Sequence, residues 1–191
     1  MALYSAILFI HVIATLFLAG ALGIEAMALR RLTYAVQITD AQLWLKHMQR
    51  MRVGATACLL ILFFSGGYLT DRLSMWRLAW PKIAVAVVVA FGALAGISGT
   101  RVGRIRKVVR KAVDFEQIAL TNPNAPFLRI SLSLRVGLVL AAVFLMTLKP
   151  NFMQSVGAVL AFISIFWIIG AVGARKKRTQ ALRRATGGIF E

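Results

Sequence analysis

A single cysteine in 191 residues leaves no material for an intrachain disulfide or a cysteine metal cluster. That residue, Cys58, lies inside an apolar run, where a buried structural thiol is the ordinary outcome. Acidic residues are scarce too, six against 23 Lys and Arg. No two of them are placed to cooperate at membrane depth, which argues against a hydrolase built on paired carboxylates. Asp114 and Glu116 are close in sequence but belong to a basic, solvated stretch. The N-terminal MALYSAILFIHV has no Lys or Arg. The basic n-region of a cleavable secretory signal is therefore missing, and the first apolar run is expected to remain as a membrane helix. The phosphate-binding glycine loop, the nucleophile elbow, HExxH and CxxC are all absent. Internal repeats and paired broken helices are absent as well, which leaves a small-molecule transporter weakly supported.

What the chain has in quantity is apolar surface and positive charge. It is 60% hydrophobic, with a mean hydropathy of +0.79. Globular chains sit nearer half apolar, and lipid is the solvent that accommodates the excess. The formal net charge of +17 would suggest nucleic acid in a soluble protein. Here the basic residues punctuate the apolar runs, so membrane topology and contact with anionic lipid account for them without nucleic acid.

Five apolar runs, at about residues 3–29, 53–70, 81–99, 127–148 and 152–174, are each long enough to cross about 30 Å of hydrocarbon. Arg30 and Arg31 close the first. Asp40 is placed to N-cap a helix beginning AQLWLKHMQRMR that continues into the second span. Pro81 suits the first turn of the third, where a missing N–H costs nothing. The connection at 101–126 opens with RVGRIRKVVRKAVDF, in which Val102, Ile105, Val109 and Val113 fall near helical spacing among basic residues. It reads as an amphipathic helix that extends the third span or lies on the membrane surface. TNPNAP then breaks the helix. Lys149, Pro150 and Asn151 make a tight turn, and a mobile basic tail is expected over 175–191.

Charge orients the spans. Residues 30–52 carry five Lys or Arg, residues 101–135 carry eight, and the tail carries six, against four elsewhere. The positive-inside rule then puts the N-terminus outside and the C-terminus in the cytoplasm. Tyr4, Tyr68, Trp76 and Trp80 fall at the outer interface, and Tyr34 and Trp44 at the inner. The sequence thus predicts one all-α integral membrane bundle of five transmembrane helices, with a basic amphipathic cytoplasmic helix. Gly92, Gly96, Gly99 and Gly103 share one face of the third helix. Such a face forms a groove for a neighbouring backbone and makes this helix the candidate bundle centre.

Few polar residues lie at membrane depth. His11, about two turns into the first helix, reads as a haem or metal ligand, a proton carrier, or an interior histidine bonded to a neighbouring helix. His11, Leu18 and Glu25 are heptad-spaced and form one stripe. Glu25 and Arg135 approach from the same side. An arginine near a helix centre costs about 2.5–3.5 kcal/mol on insertion scales, so a structural Glu25–Arg135 contact is expected to offset part of that cost. At the outer face, Asp71, Lys82 and Lys149 lie at helix ends, and Met75, Met146 and Met153 sit near the depth of His11. Thioether and imidazole are the ligands of a copper(I) site. His47 precedes the second span on the other side, roughly 25 Å from His11 at helical rise, so the two histidines cannot share one haem.

The first span, ILFIHVIATLFLAGALGIEAMALRRL, resembles the opening helix of several bacterial membrane families. Their pattern is an early histidine, a small-residue step two turns later and a closing arginine. They include an uncharacterised family of integral membrane proteins of about this size, the CopD-like copper-resistance proteins and the HemJ-type protoporphyrinogen oxidases. WRLAWPKIAVAVVV is similar to a tryptophan-then-lysine segment of the HemJ type, and MTLKPNFMQS looks most like the uncharacterised family. By that resemblance, which covers about a third of the chain, His11 matches the HemJ-type haem-binding histidine and Lys82 its essential lysine. Where the HemJ type has a further histidine near the end of its first helix, this chain reads MALRRLTYA. The uncharacterised family is the better match and brings no established activity; the HemJ-type likeness implies a bacterial inner-membrane protein associated with haem b or a porphyrin, with His11 as axial ligand and Lys82 near a carboxylate. If catalytic, it would be a membrane oxidoreductase. The alternatives are a copper-handling or small-solute permease using His11 and the outer methionines, and a non-catalytic accessory subunit that docks a membrane partner, a second copy or anionic lipid at the cytoplasmic face.

Overall fold

The structure, a computed structural model, describes residues 2–34, 38–111 and 125–187. Among the described residues there is no strand. Among them five long helices follow one another: α1 (Ala2–Tyr34), α2 (Ile38–Arg72), α3 (Ala79–Lys111), α4 (Ala125–Leu148) and α5 (Phe152–Gly187). A one-turn 3-10 helix, Met75–Arg77, joins α2 to α3. Each long helix contains a stretch apolar and long enough to cross a bilayer. The bundle has two distinct ends. At the basic end α1 closes, α2 opens, α3 closes and α4 opens. At the turn end lie the α2–α3 and α4–α5 connections.

The turn end is built from local chemistry. Ser74 takes a left-handed conformation (φ 52°), which ends α2 and starts the 3-10 turn. Pro81 falls within the first four residues of α3, whose N–H groups have no partner inside the helix. Lys149 is also left-handed (φ 46°), and its N–H still reaches the Leu145 carbonyl at 3.1 Å. Asn151 then caps α5 in a reciprocal pair. Its Oδ1 accepts from the Gln154 N–H at 3.0 Å, while Gln154 Oε1 accepts from the Asn151 N–H at 3.3 Å.

Side chains divide sharply between inward and outward faces. On α1 the residues Ala14, Leu18, Leu22 and Ala28 are buried at steps of four, four and six. Phe9, Phe17, Val53 and Phe64 are 66–69% exposed. In water that surface would far exceed the apolar patches monomers tolerate; in hydrocarbon it meets its own kind of solvent. The core centres on Leu18, Leu22, Val87, Phe91, Leu138 and Leu145. A second cluster at the basic end joins Ala28, Leu45, Met48, Val102 and Leu128. α3 packs against α2, α4 and α5, while α1 packs mainly on α2 and also on α4.

Several features differ from the sequence reading. α2 begins at Ile38, so Asp40 falls inside its first turn and does not precede it as a cap. α3 runs unbroken to Lys111, so the described part of the basic segment extends the third span. TNPN, Val113, Asp114 and Glu116 lie outside the described residues. α5 continues as helix to Gly187, through most of the basic segment 175–191. Lys, Arg, Gln, Ala and Leu are good helix formers, and extending an existing helix carries no nucleation cost. The glycine face of α3 also receives a different neighbour. A Cβ at Gly92 would meet the Leu59 side chain and one at Gly99 the Arg52 side chain, while Gly96 and Gly103 face open space. Close glycine packing occurs instead between α4 and α5. A Cβ on Gly170 would stand 3.0 Å from the Ile130 Cα, and one on Gly137 would stand 3.0 Å from Phe166.

Candidate functional site

Two groups of polar side chains lie within the apolar helices. The first surrounds His11, which α1 turns inward on the same stripe as Leu18; it is 7% exposed. His11 Nδ1 lies 2.7 Å from Ser65 Oγ on α2. Ser65 Oγ also donates to the Ile61 carbonyl at 2.5 Å, the back-bond that serine makes readily within a helix. A hydroxyl has one hydrogen to give. With that hydrogen on Ile61, Ser65 accepts from His11, so Nδ1 carries the imidazole proton and Nε2 keeps the lone pair. Gly66 makes room for the ring, since a Cβ there would stand 3.2 Å from His11 Cε1. Trp80 is buried nearer the start of α3, and its Nε1 has no hydrogen-bond partner among the described residues.

The second group ties four helices together toward the basic end. Arg135 on α4, 4% exposed, makes a two-pronged ion pair with Glu25 on α1: Nη1 to Oε2 at 2.8 Å and Nη2 to Oε1 at 2.6 Å. Its Nε also donates to the Ser131 carbonyl at 3.4 Å. Ser131 Oγ lies 2.6 Å from Ser98 Oγ on α3, and Ser98 donates to the Leu94 carbonyl, so Ser131 is the donor between the two. From α2, Arg52 Nη1 donates to the Gly99 carbonyl at 3.1 Å. Arg52 Nη2 is buried with no hydrogen-bond partner among the described residues.

Beside this network a cavity of about 860 Å³ opens between α1, α2 and α3, with Arg135 at its edge. Gly92, Gly96, Gly99 and Gly103 line one wall, and Leu22, Leu59 and Phe91 line an apolar part. Arg52, Arg106 and Lys107 supply positive charge toward the basic end. Arg106 is held by a hydrogen bond to Gln49 Oε1. Nearby, the Arg101 guanidinium stacks 3.6 Å from the centre of the Phe127 ring, a cation–π contact between α3 and α4.

The structure brings Glu25 and Arg135 into direct contact and places His11 on Ser65. It does not join His11 to Lys82, which is exposed on α3. Met75 and Met146 are half-buried, and Met153 is 78% exposed on α5, whose main neighbours are α3 and α4. The geometry therefore gives no support to a shared copper site made of these thioethers and His11. Among the described residues no group of three or more His, Cys, Asp and Glu could hold a metal ion. His47 is exposed near the start of α2, with Nδ1 bonded to the Leu43 carbonyl. About 27 Å of helix separates it from Ser65, the partner of His11.

Sequence reasoning missed Ser65, Ser98, Ser131 and the inward reach of Arg52. The signal available for the serines was their position within apolar runs, where a hydroxyl finds a partner or back-bonds to its own helix. Arg52 was assigned to the rim because the second apolar run was drawn to begin after it.

Fold and side chains together define a multi-pass helical membrane protein with a polar network and a cationic-to-apolar cavity in its interior. Comparison with known proteins finds no matching family model, no matching curated protein and no matching solved structure.

Proposed function

We propose that this protein resides in the bacterial inner membrane with its N-terminus outside, and that it associates with haem or a porphyrin through His11. The orientation rests on charge. Arg30, Arg31, Arg52, Arg101, Arg104, Arg106 and Lys107 belong to the parts of α1, α2 and α3 nearest the basic end. Positively charged segments are preferentially retained on the cytoplasmic side. The bacterial membrane and the tetrapyrrole class come from the family resemblance of the first helix.

The observation that carries the association is the pairing of His11 Nδ1 with Ser65. Metal-ligating histidines have their second ring nitrogen held by a hydrogen-bond partner, which fixes the tautomer and aims the ring. His11 has that arrangement, with Nε2 left as the donor atom, and the residues fit the axial role to that extent. A bound haem would contribute electron-transfer or ligand-binding chemistry. His11 would be its one histidine ligand, because His47 lies at the far end of α2. Lys82, exposed near the turn end, is the cation assigned to a propionate.

The test is the absorbance spectrum of protein purified in detergent from haem-replete cells. A Soret band in the wild type, lost in His11→Ala and kept in His47→Ala, is the expected result. Colourless wild-type protein, or a band indifferent to His11→Ala, overturns the reading.

A further inference from the structure

The cavity at the basic end does not include His11 or Lys82, and its chemistry asks for a different occupant. At about 860 Å³ it falls within the roughly 300–1,000 Å³ usual for small-molecule sites. Its glycine wall is open: a Cβ at Gly96 or Gly103 would meet no atom within 4 Å. Polarity is graded along it, from Leu22, Leu59 and Phe91 to Arg52, Arg106 and Lys107. The cations at this site are not equally satisfied. Arg135 is matched by Glu25. Arg52 has no salt bridge among the described residues; one amino group is taken by the Gly99 carbonyl, and the other is buried without an acceptor. The Glu25 carboxylate also lines the cavity, but both of its oxygens are bonded to Arg135, so the Arg52 guanidinium keeps a buried N–H whose desolvation penalty a bound anion would offset.

We propose that this cavity binds one molecule of anionic lipid. Its phosphate accepts from Arg52, with Arg106 and Lys107 beside it, and an acyl chain lies along the glycine wall toward Leu59 and Phe91. The proposal goes beyond the tetrapyrrole reading and beyond the diffuse attraction of a basic rim for an anionic leaflet, because it names a stoichiometric site. The gradient selects the class. A phosphate without a chain leaves the apolar wall unfilled, and a zwitterionic headgroup brings a cation toward Arg106 and Lys107.

Native mass spectrometry of the detergent-purified chain, titrated with phosphatidylglycerol, phosphatidylcholine or inorganic phosphate, tests it. One phosphatidylglycerol is expected to bind, about 10- to 100-fold more tightly than phosphatidylcholine: both offer a phosphate oxygen to Arg52, and the difference is the like-charge cost of the choline beside Arg106 and Lys107. Inorganic phosphate is expected neither to bind measurably nor to displace it. Arg52→Gln removes the charge and is expected to lower affinity by a similar factor. Gly96→Leu projects a side chain from the glycine wall into the proposed path of the acyl chain while leaving every cation in place, and it replaces a helical glycine at an open position. It is expected to fold and to lose the bound lipid, whereas Lys46→Gln, on the exposed surface of α2, leaves binding unchanged. Equal binding of the two lipids overturns the proposal. So does folded Gly96→Leu protein with wild-type phosphatidylglycerol affinity, since the lipid would then sit elsewhere on the basic rim. Because no arm depends on haem, a colourless protein leaves this result standing.

Discussion

Glu25→Gln isolates the charge that holds α1 against α4. The substitution keeps the shape of the side chain and one acceptor oxygen but takes away the counter-ion of Arg135. That guanidinium is 4% exposed, and its remaining partner is the Ser131 carbonyl at 3.4 Å. Removing one member of a buried ion pair costs about 3–5 kcal/mol, because the surviving charge is left uncompensated. The retained amide oxygen puts Glu25→Gln at the lower edge, about 3 kcal/mol, or roughly 150-fold in the ratio of folded to unfolded protein. Arg135→Gln should cost less, about 2 kcal/mol, because the Glu25 side chain is 13% exposed and borders the cavity that Arg52 also lines. The double substitution leaves no orphaned charge, so its loss should not exceed that of Glu25→Gln. The assay is reversible unfolding in mixed micelles of ionic and nonionic detergent for the wild type, both single variants and the double. Additive losses would mean that the two groups are not energetically coupled, and the account of Arg135 at membrane depth would fail.

Two further outcomes follow from close packing and from charge. Gly170→Ala places a Cβ 3.0 Å from the Ile130 Cα, backbone that cannot give way as a side chain does, so it should destabilise the protein by about 1–3 kcal/mol; thermal melts showing no loss would refute the α4–α5 contact. The proposed orientation is checked with an impermeant maleimide on intact cells, using Cys58→Ser protein with single cysteines introduced: Ser74→Cys should label directly and Lys46→Cys only after lysis, and the reverse pattern inverts the topology.

The helices were legible because each needs only an unbroken run of about 20 apolar residues, and the Lys149–Pro150–Asn151 turn because two of its residues resist helix continuation. The approach of Glu25 to Arg135 could be read as well. Heptad spacing put Glu25 on the stripe of His11 and Leu18, and a buried arginine requires a counter-charge from some helix. Hydropathy does not report how each helix is rotated about its axis. That rotation decides that Gly96 faces a void while Gly137 and Gly170 meet α5 and α4, although all three look alike as small residues in apolar runs. It also decides that Ser65 meets His11 and that Ser98 meets Ser131. Arg52 was hidden for a related reason. A span drawn by hydropathy begins after its last charge, so an arginine that opens an apolar run is assigned to the rim. In the structure it stands where the apolar part of α2 begins, after the exposed Lys46, His47, Gln49 and Arg50, with one amino group buried. Arginines can snorkel from such a position when the way to the interface is open. This one is instead bonded across to the Gly99 carbonyl on α3. The bare glycine there lets the guanidinium come within 3.2 Å of where a Cβ would be. The glycine face and the inward arginine are therefore one feature. Small residues on α3 leave the space, and a cation from α2 gives part of that space the positive charge on which the proposed lipid site rests.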